Sequence, residues 1–588
     1  MTELHTQTTI NIQEKSNLIW SIADLIRDYY KPHEYGKVIL PMVVIKRFND
    51  VLAPTRQAVW NVYENVKHLE VIDGFLERAS GYKFYNISSY DFQKLVEDST
   101  HIEKNFRAFL NGFSENVQDI LENFEFDREI TKLANNGMLF LIVEAFNKPS
   151  AYMGADKITA VDMGYIFEDL IKRFSESYDE QAGAHFTSRD IIYLMTDLLI
   201  CEDKDTMIEE GVAKTVYDMT MGTSQMLTCM TERLQKLDAE ADVKVFGQEV
   251  NPETYAIAKS DMLIRGGNSD NMRLGNTLSD DKFKDYKFDY IISNPPFGIE
   301  WKVEKKAVED EHKLGDLGRF PVGLPKISDG QMLFDLNGIA KLKEDGRMAI
   351  IHNGSSLFTG AAESGESEIR RYIIENDWLD AIIQLSTDVF YNTGITTYIW
   401  IISKSKPEER QGKVQLIDAS KMVDARRKNI GNKRNDITDE CRNIIVKAYG
   451  EFKNNAVYEL DGKVCESKIF NNEDFGFNRI QIESPSYDED GNLVTKGKKN
   501  QPVADASKRD FENVPLTEDI DSYFNREVKP YNPEAWIEKK KTKVGYEIPF
   551  TRYFYKYVAP EKSDVIAERI SSHEIDIMTS LDKLFGRR

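Results

Sequence analysis

One run of residues, Phe288-Asp289-Tyr290-Ile291-Ile292-Ser293-Asn294-Pro295-Pro296-Phe297, carries the most chemical information in the chain. Its first part has the composition of a buried strand. Asn-Pro-Pro-Phe then falls at the strand's carboxyl end, where open α/β sheets bind ligands. The two prolines fix φ, stiffen the turn and leave carbonyl acceptors without competing N–H donors. Asn294 adds an amide oxygen. Such acceptors suit a planar exocyclic amine. Hydrogen bonds from its NH2 to the Asn294 side chain and the Pro295 carbonyl draw the lone pair out of conjugation and aim it at an electrophile. Phe297 is placed to stack on the heterocycle. The competing explanation is a strand that simply ends in a rigid turn.

An amine acceptor needs an electrophile, and the strand that holds it should lie upstream. Thr215-Val216-Tyr217-Asp218 reads as a strand with an acid at its end. Met219-Thr220-Met221-Gly222-Thr223-Ser224, followed by Gln225, reads as a turn of mostly small residues that opens a helix. Such turns let backbone approach a cofactor closely. Only one glycine is present and the G-x-G signature is absent, so the segment is weak taken alone. The strand over 243–248 ends at Glu249, where an acid can accept hydrogen bonds from ribose hydroxyls. Gly275-Asn276-Thr277-Leu278 supplies another loop before the Asn-Pro-Pro-Phe strand.

The elements that must position these groups have their own texture. Short β-branched or apolar runs at 215–217, 243–246, 289–293, 348–352, 381–385 and 396–403 alternate with helix-like stretches, which predicts a mainly parallel α/β sheet. Residues 1–155 are rich in Glu, Lys, Asn, Leu and Phe and predict a helical domain. In it Leu18, Ile22, Leu25, Ile26 and Tyr29 share one helical face, with Ser16 as N-cap. Residues 156–484 form the α/β domain. Residues 485–562, with Asp488, Asp490, Gly491, Gly497 and several lysines, read as a linker or irregular region. Residues 563–588 form a C-terminal helix whose Ile570, Ile577, Met578, Leu581, Leu584 and Phe585 fall at helical spacing.

The 588 residues exceed a single core, and 41 % hydrophobic content excludes wholesale disorder. A net charge of −22 argues against a free-standing, non-specific DNA coat. Basic clusters at Arg426, Arg427, Lys428, Lys433 and Arg434, and at Lys539, Lys540, Lys541 and Lys543, are either solvated surface or phosphate contacts. Cys201, Cys229, Cys441 and Cys465 lie far apart, without metal-ligand spacing, so a reducing, cytoplasmic setting and no structural metal are expected. Neither an export signal nor a membrane span is read. The absence of a G-x-x-x-x-G-K-[ST] loop argues against a motor.

The order of these segments resembles the S-adenosylmethionine-dependent DNA N6-adenine methyltransferases, and more closely the modification subunits of type I restriction–modification systems. The resemblance runs from about residue 17 to about residue 404. Asn17 through Arg27 and Tyr35 through Asp50, with Lys46-Arg47-Phe48, are similar to that family's helical N-terminal domain. Ala182-Gly183-Ala184-His185-Phe186-Thr187-Ser188-Arg189 is similar to its segment before the cofactor strand. Residues 346–351 and 353–358, Ile369-Arg370, and Asp380 through Thr396 follow its later strands in order. The sequence departs from the family pattern at Ser188, Met219 and Ser386, where proline is common. It also departs at Ser224 and Gln225, where glycine is common, and at Asn276, commonly Asp.

The resemblance implies an α/β, Rossmann-like methyltransferase domain with a helical N-terminal domain and a helical C-terminal tail. It implies transfer of methyl from S-adenosylmethionine to a flipped adenine, with Asn294, Pro295, Pro296 and Phe297 as the catalytic turn. The cofactor would lie on His185, Phe186, Thr187, Ser188, Arg189, Asp218, Gly222, Thr223, Ser224, Gln225, Glu249 and Asn276, with no metal. It implies double-stranded DNA, a specificity subunit and a restriction subunit as partners, with two copies of this chain per specificity subunit. Alternatives are a catalytically weakened scaffold for a specificity partner, suggested by the altered turn, and an amine methyltransferase acting on RNA or protein. N4-cytosine is a minor alternative target. C5-cytosine chemistry is disfavoured because no cysteine follows a proline.

Overall fold

The computed structural model describes residues 14–176, 187–201, 213–238, 240–391, 393–430, 432–497, 501–557 and 561–586. They divide into two compact units, Met1–Ile548 and Pro549–Arg588.

The first unit opens with helices, and the polar residues of one of them explain its motif. Gly36–Leu52 is buried along almost its whole length, including Lys46, Arg47 and Asp50. Asp50 accepts from the Met153 amide at 2.7 Å and from Lys46 Nζ at 2.8 Å, while Arg47 donates to the Ile158 carbonyl at 2.9 Å. Buried charges persist only when paired in this way. The helix is thereby tied to the chain that leads into the α/β region.

The first helical face is not the one expected. Ser16, Ile19, Ile22, Ala23, Ile26 and Tyr30 point inward, whereas Leu25 and Tyr29 are exposed. Helical geometry already includes Glu14, so Ser16 is a buried helical residue and not the cap. The regular helix gives way at Asp24–Ile26 to a tighter 3-10 turn, which rotates the later residues away from a 3.6-residue period.

The α/β region is built on a sheet whose strands are β1 (Ala213–Asp218), β2 (Asp242–Glu249), β3 (Met272–Leu274), β4 (Phe288–Ser293), β5 (Leu342–Asn353), β6 (Leu379–Gln384), β7 (Thr397–Ser403) and β8 (Lys413–Asp418). In space the order is β8-β6-β7-β5-β4-β1-β2-β3, and strands Lys463–Asn471 and Ala456–Leu460 extend it beyond β8. β1 pairs in parallel with both β2 and β4, and β4 pairs in parallel with β5. The chain therefore leaves β1 toward β3 on one side and returns through β4 on the other. A crevice at the carboxyl ends of β1 and β4 follows from that reversal. β7 runs antiparallel between β5 and β6, so the sheet is mixed at that end. The expected α/β class with helical ends is borne out.

Side chains lock β1 to β4. Asp289 accepts from the Thr215 amide at 2.8 Å, from Thr215 Oγ1 at 2.6 Å and from Lys343 Nζ at 2.7 Å. Tyr217 stacks on Phe288 with centroids 4.6 Å apart. The helix Pro252–Ile264 that follows β2 shares Ala256, Ile257, Leu263 and Ile264 with the core of the N-terminal helices. Its Lys259 pairs with Asp119 at 2.6 Å. The helical and α/β regions thus have a continuous interior.

The stretch 485–562 is more regular than its composition indicates. Strand Gly476–Glu483 pairs antiparallel with Asp510–Pro515, Trp536–Ile537 and Lys543–Tyr546. Ile480, Ile482, Val514, Phe524, Val528 and Ala535 form a small core beneath them. Short strands carrying many charges leave little periodic signal. Lys433, expected on a basic surface, is buried against Asp190 at 2.8 Å and the Val389 carbonyl at 2.9 Å. None of the four cysteines is in a disulfide among the described residues.

The second unit holds the short helix Phe550–Phe554 and the helix Ser563–Phe585, whose residues are all exposed. Among the described residues no helix is long and apolar enough to cross a membrane.

Candidate active site

The crevice at the carboxyl ends of β1 and β4 is a cavity of about 370 Å³, within the range of small-molecule sites. One wall is the turn after β1. Asp218 is fully buried and accepts from the Thr220 amide at 3.0 Å and from Ser293 Oγ at 2.7 Å, so the ends of β1 and β4 share a carboxylate. Burial pushes the Asp218 carboxyl up to about 7, the two hydrogen bonds oppose that shift, and the nearby charge of Glu249 adds to it.

The turn then takes left-handed backbone at two positions, only one of which is glycine. Gly222 has φ 54° and Ser224 has φ 63°, and the helix Gln225–Leu237 begins immediately after. Ser224 therefore carries a conformation that glycine adopts at less cost. Its Oγ is buried without a partner, as are both polar atoms of the Gln225 side chain. Gln225 lines the cavity.

Glu249, at the end of β2, holds two backbone segments at once. Its Oε2 accepts from the Gly222 amide at 2.9 Å and its Oε1 from the Asn251 amide at 2.8 Å. Each oxygen keeps a lone pair for a ligand hydroxyl. Asn276 shapes the next loop: its Oδ1 accepts from the Leu278 amide at 2.9 Å, and its Nδ2 donates to Glu304 at 2.7 Å.

Asn294 stands at the opposite wall. Its Nδ2 donates to Thr187 Oγ1 at 3.0 Å, while its Oδ1 is buried with no partner. A buried carbonyl oxygen without a donor is costly, and it belongs to a residue that lines the cavity. Pro296 lines the cavity and Pro295 is buried beside it.

Not every expected residue reaches the cavity. Thr187, Asp218, Gly222, Thr223, Gln225, Glu249, Asn276, Asn294 and Pro296 line it, and Ser188 is buried nearby in sequence with an unpartnered Oγ. Arg189 instead lies over the Tyr165 ring at 4.0 Å and faces Glu232 at 3.7 Å. Phe297 does not line the cavity. Its ring is half-buried against the apolar core of the sheet, because the rigid Pro-Pro turn carries it past the rim before Gly298 reverses the chain at φ 71°. His185 and Phe186 lie outside the described residues. Among the described residues no cluster of His, Cys, Asp and Glu could hold a metal ion.

Sequence reasoning missed Trp301 and Glu304, which line the same cavity, and Arg319, which supports it. Arg319 donates to the Thr277 carbonyl at 2.6 Å and the Leu278 carbonyl at 3.1 Å, and pairs with Glu311 at 2.6 Å. Spacing gave no signal for these residues, since the loop that carries them lacks a period.

A carboxylate after the second strand, a left-handed turn opening a helix and amide acceptors across the crevice fit a nucleoside-bearing methyl donor. Fold and site together define a Rossmann-like, S-adenosylmethionine-dependent methyltransferase. The N-6 DNA methylase family model matches residues 159–482, and a model of the HsdM N-terminal domain matches residues 15–146. The chain belongs to the N-6 DNA methylase family, and its reaction is methylation of adenine N6 in DNA with S-adenosylmethionine as donor.

It is 23 % identical over 465 residues to the type I restriction enzyme MjaIX methylase subunit of Methanocaldococcus jannaschii, a match covering 75 % of this chain and 77 % of that one. To the MpnII methylase subunit of Mycoplasma pneumoniae it is 24 % identical over 456 residues, covering 70 % and 80 %. The crystal structure of a type I methyltransferase subunit from Streptococcus thermophilus has a similar fold, with a TM-score of 0.59 at 24 % identity over 79 % of this chain and 97 % of that one. The resemblance read from the sequence is borne out.

Proposed function

We propose that this chain is the modification subunit of a type I restriction–modification assembly and methylates an adenine everted from double-stranded DNA, which protects that DNA from cleavage. The observation that carries this reading is the orphaned Asn294 Oδ1, held at the cavity wall by the bond from its own amide to Thr187.

S-adenosylmethionine, when bound, supplies an electrophilic methyl group on a sulfonium. Glu249 holds the ribose hydroxyls, and the N-terminus of the helix Gln225–Leu237, with Thr223 and Gln225, takes the amino-acid end. Ser224 shapes that turn. Thr187, in the segment that the resemblance assigns to the methionine part, lines the cavity. Asn294 Oδ1 and the Pro295 carbonyl accept the two amino hydrogens of adenine and free its lone pair. The donor would supply a methyl group that leaves sulfur with its bonding pair behind as the nitrogen–carbon bond forms. The surplus proton leaves through the same acceptors to water. Phe297, half-buried beside the turn and outside the cavity lining, would have to meet the everted base at the cavity rim, a contact worth ~1–3 kcal/mol by analogy with other base–aromatic stacks. Positioning carries most of the catalysis.

Target sequence is read by a specificity subunit flanked by two copies of this chain, and a restriction subunit joins for cleavage. The net charge of −22 supports that division of labour, since basic DNA-contacting surface can come from a partner. Residues 156–484 form the catalytic domain, 1–155 the helical domain, and the helix Ser563–Phe585 docks on the specificity subunit. The assembly acts in the cytoplasm. Base-resolved sequencing of DNA from cells with and without this protein tests the reading. N6-methyladenine at one recurrent sequence, present only with the protein, is the expected result, and its absence overturns the reading.

A further inference from the structure

A buried polar chain reaches the Asn-Pro-Pro-Phe turn from behind. It starts at Asp335 and His352, both fully buried, whose Oδ1 and Nε2 lie 2.8 Å apart. The other ring nitrogen of His352 is 3.1 Å from Gln331 Oε1. The Gln331 amide is oriented by its neighbours: Oε1 faces the Asn353 amide at 3.4 Å as well as the His352 ring, and its NH2 faces acceptors on the other side. The Gln331 NH2 group then points the other way, to Asp329 Oδ2 at 2.7 Å, Ser355 Oγ at 2.8 Å and Asn353 Oδ1 at 3.0 Å.

Asp329 closes the chain. Its Oδ1 accepts from the Gln331 amide at 3.2 Å and from the Gly298 amide at 3.2 Å. Gly298 directly follows Phe297 and has φ 71°, the left-handed conformation that ends the turn. The neighbouring backbone is pinned as well, by the bond from the Gly330 amide to the Ile299 carbonyl at 3.1 Å. Nothing in the methyl-transfer chemistry uses these side chains, yet the amide that ends the catalytic turn donates to their carboxylate.

We infer that Gln331 and Asp329 are positioning residues for methyl transfer: Gln331, oriented by His352, clamps Asp329, and Asp329 holds Gly298 so that Asn294 and Pro295 face the incoming amine. The inference rests on the proposed role of Asn294. Without the clamp, the two prolines and the Gly330–Ile299 bond still restrain the turn, but Gly298 loses the fixed acceptor for its amide. A displacement of about 1 Å at a transfer site costs on the order of 100-fold in rate. The residues proposed to hold the cofactor lie outside this hydrogen-bonded chain, so cofactor affinity is expected to change little.

Gln331→Glu tests this without altering side-chain volume, because it replaces the NH2 that faces Asp329 by an oxygen. The full-length chain, assembled with its specificity subunit, is assayed on unmodified genomic DNA by quantifying N6-methyladenine. The expected result is a kcat lower by about 100-fold, with KM for DNA and Kd for S-adenosylmethionine within about threefold of the parent. Asp329→Asn added to Gln331→Glu restores a donor and acceptor pair with its polarity reversed, and the amide oxygen introduced at position 329 still accepts from Gly298. At least tenfold recovery of kcat in the double variant is the signature of the clamp. Unchanged kcat in Gln331→Glu, or a double variant no better than the single one, overturns the inference. Asn294→Ala runs beside them: if it retains normal turnover, the catalytic reading of the turn has failed, and if it is inactive while Gln331→Glu is not, only the clamp has.

Discussion

Asn294 Nδ2 donates to Thr187 Oγ1 across 3.0 Å, although the two residues lie 107 positions apart. The bond holds the amide at the cavity wall. With the NH2 engaged, the oxygen is left free, and an oxygen is what an incoming amine requires.

Asn294→Ala should therefore lower methyl transfer by at least about 100-fold, the scale at which lost preorganised hydrogen-bond partners act. Calorimetry should find cofactor affinity little changed. Thr187→Val should cost less, about tenfold, because it loosens the amide without removing it. Thr187→Ser keeps the hydroxyl and should retain most activity. Equal losses in the valine and serine variants would show that the methyl group, not the oxygen, matters at position 187.

Glu249 sits under a second prediction. Its carboxylate accepts from the Gly222 and Asn251 amides and so braces the cofactor turn from the next strand. Glu249→Gln puts an NH2 against one of those amides, and Kd for S-adenosylmethionine should rise at least about tenfold. The thermal midpoint of the free chain should fall as well, since the brace acts without ligand. A midpoint that holds while affinity drops would assign Glu249 to the ligand alone.

Asp218 gives the free protein a pH dependence of definite sign. Unfolded, its carboxyl ionises near ~3.9; folded, it holds its proton up to about 7. Below the first value both states are protonated and the group contributes nothing. Between the two, the unfolded chain releases a proton that the folded chain keeps, so stability falls as pH rises, and above about 7 the penalty is constant. Asp218→Asn removes this dependence. Thermal midpoints of parent and variant, measured from pH 4 to 8, should shift progressively in the variant's favour as pH rises. Curves that stay parallel through that range would falsify the assignment.

Much of this geometry is legible in the sequence, and what is not has a physical reason. The strands β1, β2 and β4 to β7 are marked by β-branched runs with polar ends, because each is buried on both faces where it crosses the core. Placing Asn294 and Asp218 at one sheet edge follows from the strands alone. The antiparallel direction of β7 does not, since side-chain composition does not record which way a central strand runs. Gln331, Asp329 and His352 are equally silent. They come from a loop, a helix end and a strand, and only the folded chain brings them within 3 Å or so of one another. Lys433 misleads for a related reason, as a lysine in a basic run is indistinguishable from one that folding buries against Asp190.

Ser224 is a position where the chain pays in stability for a side chain. A non-glycine residue at φ 63° costs on the order of 1–2 kcal/mol, and the Oγ buried there without a partner adds to it. Ser224→Gly relieves both, against a smaller entropic gain of the unfolded chain of ~0.5–1 kcal/mol. The thermal midpoint should rise in the variant, with cofactor affinity equal or better. A lower midpoint would mean that the serine makes a contact worth more than the strain.

The C-terminal helix Ser563–Phe585 yields the last prediction. Ile566, Ile570, Ile577, Leu581 and Leu584 all stand exposed along it, and Phe585 is 73 % exposed. A 23-residue amphipathic helix with no covering surface in its own unit is a poor structure for a chain to keep in water. It becomes a good one when its apolar stripe lies against another subunit. Deletion of residues 563–588 should abolish co-purification with the specificity subunit while leaving the Kd for S-adenosylmethionine within about twofold, because every residue proposed to hold the cofactor lies in the first unit. Replacing Ile570, Ile577 and Leu581 together by Gln keeps the helix length and should reproduce the loss. Co-purification that survives both changes would place the contact elsewhere on the chain, and loss in the deletion alone would point to the polar face of the same helix.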